Sequence, residues 1–149
     1  MCGFFGCFHN RNFSLTKDFC VKAFESIKHR GPDAFGDKEF ILEDNIIRFF
    51  HHRLSIIDLR DIAAQPFSSF NDRFYLIYNG EIYNHNKLRE LISSKININW
   101  KSNCDSETLV NIFHYENTKN SIKMLEGMFS FSLFDKEKNE LILARDRTG

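Results

Sequence analysis

A cysteine stands second in the chain, directly after the initiator methionine. Removal of Met1, which a small following side chain permits, makes Cys2 the first residue and gives its thiol an α-amine on the same residue. An unperturbed α-amino group titrates at ~7.7 to 8, so near neutral pH part of it is unprotonated and able to take the thiol proton. Nucleophile and base then share one residue, a known way of activating a weak nucleophile. With Met1 retained the nitrogen is an amide, this base does not exist, and the chain reads instead as a non-catalytic regulatory or interaction module.

Other polar groups carry chemistry only in company. By itself, Arg53 at the end of an apolar run reads as a solvated rim residue, Asn79-Gly80 as a turn, and Asp105 as a helix cap. His51 and His52 are adjacent on a strand, so they point to opposite faces and cannot converge on one ion; packing is their expected role. Cys2, Cys7, Cys20 and Cys104 form no CxxC pair and no paired His/Cys spacing, so no metal site is expected. They are expected as unpaired thiols, with Cys7, Cys20 and Cys104 acting as small buried hydrophobes.

The elements that must position these groups follow from pattern. Residues 2 to 8, CGFFGCF, predict a buried strand. Ser14 or Thr16 then caps a helix reaching about His29, with Phe19, Val21, Ala23, Phe24 and Ile27 as its apolar stripe, and Arg30-Gly31-Pro32-Asp33 breaks it. Residues 35–42 and 46–54 predict a hairpin over Glu43-Asp44-Asn45. Residues 73–78 predict a strand that ends in a turn at Asn79-Gly80. Asn84 caps a helix through about Ser94, and Asp105 or Ser106 starts another carrying Leu109, Ile112 and Phe113, both expected to be amphipathic. Residues 127–134 and 140–145 predict a last hairpin, after which the chain reads as cut rather than finished. Strands at both ends with helices between them suit a layered α+β domain better than a βαβ alternation.

Composition narrows the function classes. The apolar fraction of 42%, with seventeen Phe, is too rich for a disordered chain. Twenty basic residues balance twenty acidic ones, so nucleic acid and anionic membrane surfaces are not expected partners. No apolar run approaches the ~20 residues of a membrane span and the amino terminus lacks signal-peptide layout, which predicts a cytoplasmic protein. Neither a Ser-Gly-Gly-x-Asp-Ser loop nor a GxxxxGK motif is present, so no nucleotide site is expected within these residues.

Six segments in order, MCGFFG, RGPDAFG, HHRLSIIDL, YNGEIYNH, CDSET and ARDRTG, make the chain resemble the class II glutamine amidotransferase domain of the glutamine-hydrolysing asparagine synthetase family. The resemblance covers residues 1–149 as one domain, cut short, with a C-terminal synthetase domain missing. It implies the N-terminal nucleophile hydrolase fold, a four-layer αββα sandwich of two antiparallel sheets. It makes Cys2 the nucleophile, and Asn79 and Gly80 the oxyanion hole. It makes Arg53, within Arg53-Leu54-Ser55-Ile56-Ile57, the ligand of the glutamine α-carboxylate. Glu81 and Asp105 then surround the glutamine α-ammonium, selecting a free amino acid.

The reaction so implied is glutamine to glutamate plus ammonia through a Cys2 thioester. The ammonia would go to a synthetase domain requiring ATP and Mg, with aspartate as its acceptor; other carboxylate acceptors within the same branch are the alternative. No cofactor is implied for these residues themselves, and a homodimer is compatible with the resemblance. Arg30 to Asp33 would brace a loop near the nucleophile. The chain departs from the family pattern at Thr148, where Phe is usual, and at Asn103-Cys104 before Asp105, where Ser is common.

Overall fold

Strand β3 (Asn45–Arg53) is the centre of a three-stranded antiparallel sheet, flanked by β1 (Gly3–Asn10) and β2 (Ala34–Ile41). These elements belong to a computed structural model that describes residues 2–13, 15–56 and 58–148, with the side chain of residue 17 also left aside. β1 lies against β3 from Gly3 opposite His52 to Asn10 opposite Asn45, and β2 and β3 form the expected hairpin, closed by Leu42 N–H on Asn45 O at 2.8 Å. A second sheet has the order β4 (Phe67–Ser68), β5 (Phe74–Ile82), β6 (Gly127–Asp135), β7 (Glu140–Arg145), again antiparallel throughout.

Alternation along the strands decides what lies between the sheets. Phe40, Ile47 and Phe49 from the first sheet meet Ile77 and Phe134 from the second, all buried, with Phe40 and Phe134 ring centroids 4.7 Å apart. Each fully buried side chain of this size contributes roughly 1.5–3 kcal/mol relative to exposure. Helix α1 (Lys17–Glu25) covers the outer face of the first sheet through Cys20 and Phe24 against Phe50. Helices α2 (His85–Ser93), α3 (Asp105–Tyr115) and α4 (Thr118–Lys123) form the layer on the second sheet, where the largest core cluster joins Leu76, Tyr78 and Ile82 to Leu88, Leu109 and Ile112. The fold is therefore the α+β sandwich of the N-terminal nucleophile hydrolase type, layered α1, sheet, sheet, α2–α4.

Several sequence expectations change. β1 is an edge strand with only Gly3 fully buried, because its far side has no neighbour in the sheet. Thr16 does cap α1, its Oγ1 accepting Phe19 N–H at 3.2 Å; Ser14, the other candidate, lies outside the described residues. The helix stops at Glu25 and a short 3-10 turn, Lys28–Arg30, follows. Its buried face is Cys20 and Phe24, with Ile27 beyond the helix packing on them, whereas Phe19 and Val21 are exposed. Asn84 occupies the N-cap of α2 without capping it, since its amide bridges Met124 O at 2.8 Å and Glu126 N–H at 3.2 Å.

α3 is not amphipathic: every residue from Asp105 to Phe113 is buried. Its polar side chains serve the loops that cover it. Glu107 accepts the N–H groups of Lys101 at 2.8 Å and Ser102 at 2.7 Å, and Asn111 accepts that of Phe70 at 3.0 Å. Buried backbone donors need such acceptors, so a polar helix face can be an interior face.

Among the described residues no helix is long and apolar enough to cross a membrane. His51 and His52 diverge as expected. His52 stacks on Phe24, ring centroids 3.8 Å apart, while His51 is fully buried toward the second sheet with Nε2 bonded to Tyr78 O at 3.1 Å. Burial pushes the His51 imidazole down to about 4, and does the same to His114, wedged against Phe70 and Phe74. Below about 6.5 the unfolded chain binds protons at these rings that the folded chain refuses until about 4. Stability in urea should therefore fall as pH drops through that window, and His51→Gln should flatten the fall; an identical pH slope in the variant would show that His51 does not titrate this way.

Candidate active site

The antiparallel register that sets Gly3 opposite His52 carries Cys2 alongside the end of β3. There Cys2 Sγ accepts the Leu54 N–H at 3.4 Å and lies 3.7 Å from Leu54 O. The turn Arg30 to Asp33 fastens this corner. Arg30 Nε donates to Cys2 O at 3.2 Å, Asp33 N–H donates to Arg53 O at 3.1 Å, and Asp33 Oδ2 accepts Ser55 N–H at 2.7 Å. Gly31 is required because a Cβ there would sit 2.3 Å from His52 O.

Arg53, the last residue of β3, is buried and turns its guanidinium onto the loop that follows, donating to Arg60 O at 2.9 Å and to Asp58 O. Two of its five N–H donors are thus committed to the protein. The Asp58 carboxylate pairs with the Arg60 guanidinium at 2.6 and 2.9 Å and accepts Asn103 N–H at 3.1 Å, which ties the 54–60 loop to the approach of α3. The Arg60 hydrogen bonds, with that from Asn103, hold Asp58 well below the usual carboxylate range.

β5 does not turn at Asn79-Gly80; it runs through to Ile82, with Gly80 opposite Phe129 of β6. The reason is close packing. Gly80 has φ of 153°, and a Cβ on it would lie 2.1 Å from Met128 O. Phe129 sends its N–H to Asp146 Oδ2 and its carbonyl to Asp146 N–H, both at 2.8 Å and away from β5, so the Gly80–Phe129 pair is of the non-hydrogen-bonded kind. The N–H groups of Tyr78, Gly80 and Ile82 consequently point to the open edge of β5. Tyr78 N–H meets Gln65 Oε1 at 2.6 Å and Ile82 N–H meets Asp105 Oδ2 at 3.0 Å. The Gly80 N–H lies between them.

Asp105 begins α3 but does not cap it. Its Oδ2 accepts Tyr78 Oη–H at 2.7 Å as well as Ile82 N–H, at a position 5% exposed. Cys104 is the N-cap residue and makes no side-chain cap bond.

A cavity of about 160 Å³ joins these groups, lined by Cys2, Arg53, Leu54, Ile56, Gly80, Glu81 and Asp105. Of the other residues read from sequence as site residues, Ser55 does not line the cavity and Ile57 lies outside the described residues. Asn79 does not line it either; it faces the opposite side of β5 from Tyr78, with its Oδ1 buried and unpartnered among the described residues. Tyr78, Gln65, Asp58 and Ser106 do line the cavity, and sequence reasoning missed them. Asp58 sits inside the HHRLSIIDL segment and was open to notice; Tyr78 and Gln65 become visible only once the register of β5 is known. Among the described residues no cluster of His, Cys, Asp and Glu can hold a metal ion.

The arrangement sets one thiol beside a backbone N–H, a buried guanidinium and a buried carboxylate in a single small cavity, which suits covalent attack on a zwitterionic amino acid. The chain belongs to the glutamine amidotransferase domain family, whose pattern it matches over residues 1–149. It is 36% identical over 153 residues to glutamine-hydrolysing asparagine synthetase 1 of Bacillus subtilis (strain 168), an alignment covering all of this chain and 23% of that protein. It is 34% identical over 150 residues to asparagine synthetase B of Escherichia coli (strain K12), covering 26% of that protein, and 32% identical over 149 residues to asparagine synthetase 1 of Saccharomyces cerevisiae, covering 24%. The chain spans about a quarter of the length of these curated relatives.

Since Gly80 satisfies both a positive φ and a backbone approach closed to any side chain, Gly80→Ala should destabilise the fold by more than about 1 kcal/mol in urea melts. A variant as stable as the parent would show that the two strands can separate without cost.

Proposed function

We propose that this chain hydrolyses the side-chain amide of glutamine, giving glutamate and ammonia through a thioester on Cys2. The observation that carries the reading is the convergence of Cys2 Sγ, the Gly80 edge of β5, Arg53 and Asp105 on one cavity, in a chain of the glutamine amidotransferase family.

Once Met1 is removed, the Cys2 α-amine takes the thiol proton and Sγ attacks the amide carbon. The oxygen that becomes negative is met by the Gly80 N–H; the Asn79 side-chain amide, the second donor that the family pattern implies, lies outside the cavity and has to swing toward it to take part. Losing one such donor typically costs ~2.7–4 kcal/mol of transition-state stabilisation. The ammonium of Cys2 returns its proton to the leaving nitrogen, the C–N bond breaks, and ammonia departs. Water then attacks the thioester carbon, releasing glutamate and restoring the thiol.

Substrate is held at its other end. The uncommitted N–H groups of Arg53 take the α-carboxylate, and Asp105 with Glu81 takes the α-ammonium, while Leu54 and Ile56 line the cavity beside them. A fixed guanidinium suits a planar carboxylate. The ammonia would be passed to a C-terminal synthetase domain, where ATP and Mg would activate its acceptor; the longer relatives are named glutamine-hydrolysing asparagine synthetases, which supports this reading.

The experiment is glutamate release from glutamine by protein whose intact mass shows Met1 removed. Cys2→Ala should release none yet retain glutamine binding by calorimetry, and Arg53→Ala should raise KM roughly 10- to 100-fold, the scale of hydrogen bonds to charged groups. Protein lacking Met1 that forms no glutamate and resists a glutamine-like alkylator of Cys2 would sink the reading.

A further inference from the structure

Tyr78 is 2% exposed, yet its hydroxyl has no role in the reaction just described. It is aimed at one atom, Asp105 Oδ2, at 2.7 Å. That same oxygen takes the Ile82 N–H at 3.0 Å, so both protein donors converge on Oδ2, and Oδ1 has no hydrogen-bond donor among the described residues. No described Lys, Arg or His forms a salt bridge with this buried carboxylate. A carboxylate so placed gains from a cation supplied from outside the chain.

We propose that Tyr78 is a specificity-setting positioning residue, whose hydroxyl fixes the Asp105 carboxylate so that its second oxygen faces the α-ammonium of the substrate. The inference rests on the reading of Asp105 as the ammonium ligand. One donor, the Ile82 amide, sets where Oδ2 sits but leaves the carboxylate able to rotate about its Cβ–Cγ bond; a second donor on the same oxygen, from a different direction, fixes that rotation. The backbone of Tyr78 is itself held, with its N–H on Gln65 Oε1 at 2.6 Å and its carbonyl on His51 Nε2 at 3.1 Å. Burial first, and the Asp105 charge second, push the phenol far above its ordinary range, so it keeps its proton and acts as a donor. Tyr78 touches Asp105 rather than any reacting atom. It should therefore govern which amide is accepted and not how fast a bound amide is cleaved.

The test compares kcat/KM for glutamine with that for 4-carbamoylbutanoate, the same amide without the α-amine, using chain freed of Met1. Asp105→Asn should erase most of the preference for glutamine. Tyr78→Phe should narrow that preference about tenfold through KM for glutamine, the scale of one hydrogen bond to a charged group, with kcat and the activity on the des-amino amide unchanged. If Asp105→Asn shifts the preference while Tyr78→Phe leaves it intact, or lowers both substrates alike, the positioning role is wrong and the reading of Asp105 stands. If Asp105→Asn itself leaves the preference unchanged, that reading falls and takes the proposal with it. Should Tyr78→Phe fail to fold, Tyr78→Met is measured on the same ratio; failure of both to fold makes the hydroxyl a structural requirement and overturns the proposal.

Discussion

At Gly80 the backbone of β5 passes so near Met128 and Phe129 that no side chain fits between them. A strand that would otherwise turn at Asn79-Gly80 continues for two more residues, and the pairing with β6 stays in register to Ile82 opposite Gly127. Because the Gly80–Phe129 pair is not hydrogen-bonded across the ladder, alternate amides of β5 are left on the outer edge. β4 covers only the beginning of that edge, through Phe67 and Ser68. The rest is completed by side chains, Gln65 on Tyr78 and Asp105 on Ile82, with Gly80 between. The electrostatic character of the cavity wall thus follows from where two strands are forced together.

Asp105 reaches that edge because α3 is sunk into the domain. Burying a helix that carries Asp105, Ser106, Glu107 and Asn111 is tolerable only when each polar group is met, and here the loops before it supply the partners. Glu107 gathers residues 101 and 102, Ser106 meets Gln65, and Asn111 holds Phe70. Arg89 of α2 closes the arrangement by donating to Ser102 O at 2.8 Å and Cys104 O at 3.1 Å, with its guanidinium 4.4 Å over the Trp100 ring. Leaving one such buried group unmatched costs about 1–3 kcal/mol, so the network fixes the start of α3 rather than merely decorating it.

This explains what was legible in the sequence. Cys2, Arg53, Gly80 and Asp105 could be picked out because each lies in a short segment whose neighbours also carry the family pattern, and the β2–β3 and β6–β7 hairpins followed from β-rich runs separated by turn-forming residues. Asn79-Gly80 was misleading because the same dipeptide serves a turn and a close backbone crossing, and only the partner strand distinguishes them. Asn84 and α3 misled in a related way: polar side chains near a helix start look like caps or solvent contacts, but here they satisfy loop backbone. Tyr78 ends the predicted 73–78 strand, and nothing local in the sequence shows that its hydroxyl meets a carboxylate.

Arg53 joins the two halves of the site. Its position beside Leu54 places it next to the sulfur of Cys2, and its guanidinium holds the loop that Asp58 in turn ties to Asn103 and α3. Folding has already removed the rotamer freedom of this long side chain, up to ~2 kcal/mol for an arginine. A carboxylate arriving at the remaining N–H groups therefore meets a fork that need not be ordered again, which is how preorganisation turns contacts into affinity. The same clamp limits how far the Leu54 N–H can move from Cys2 Sγ, so in the proposed reaction the group that would hold one end of the substrate would also set the place from which the other end is attacked.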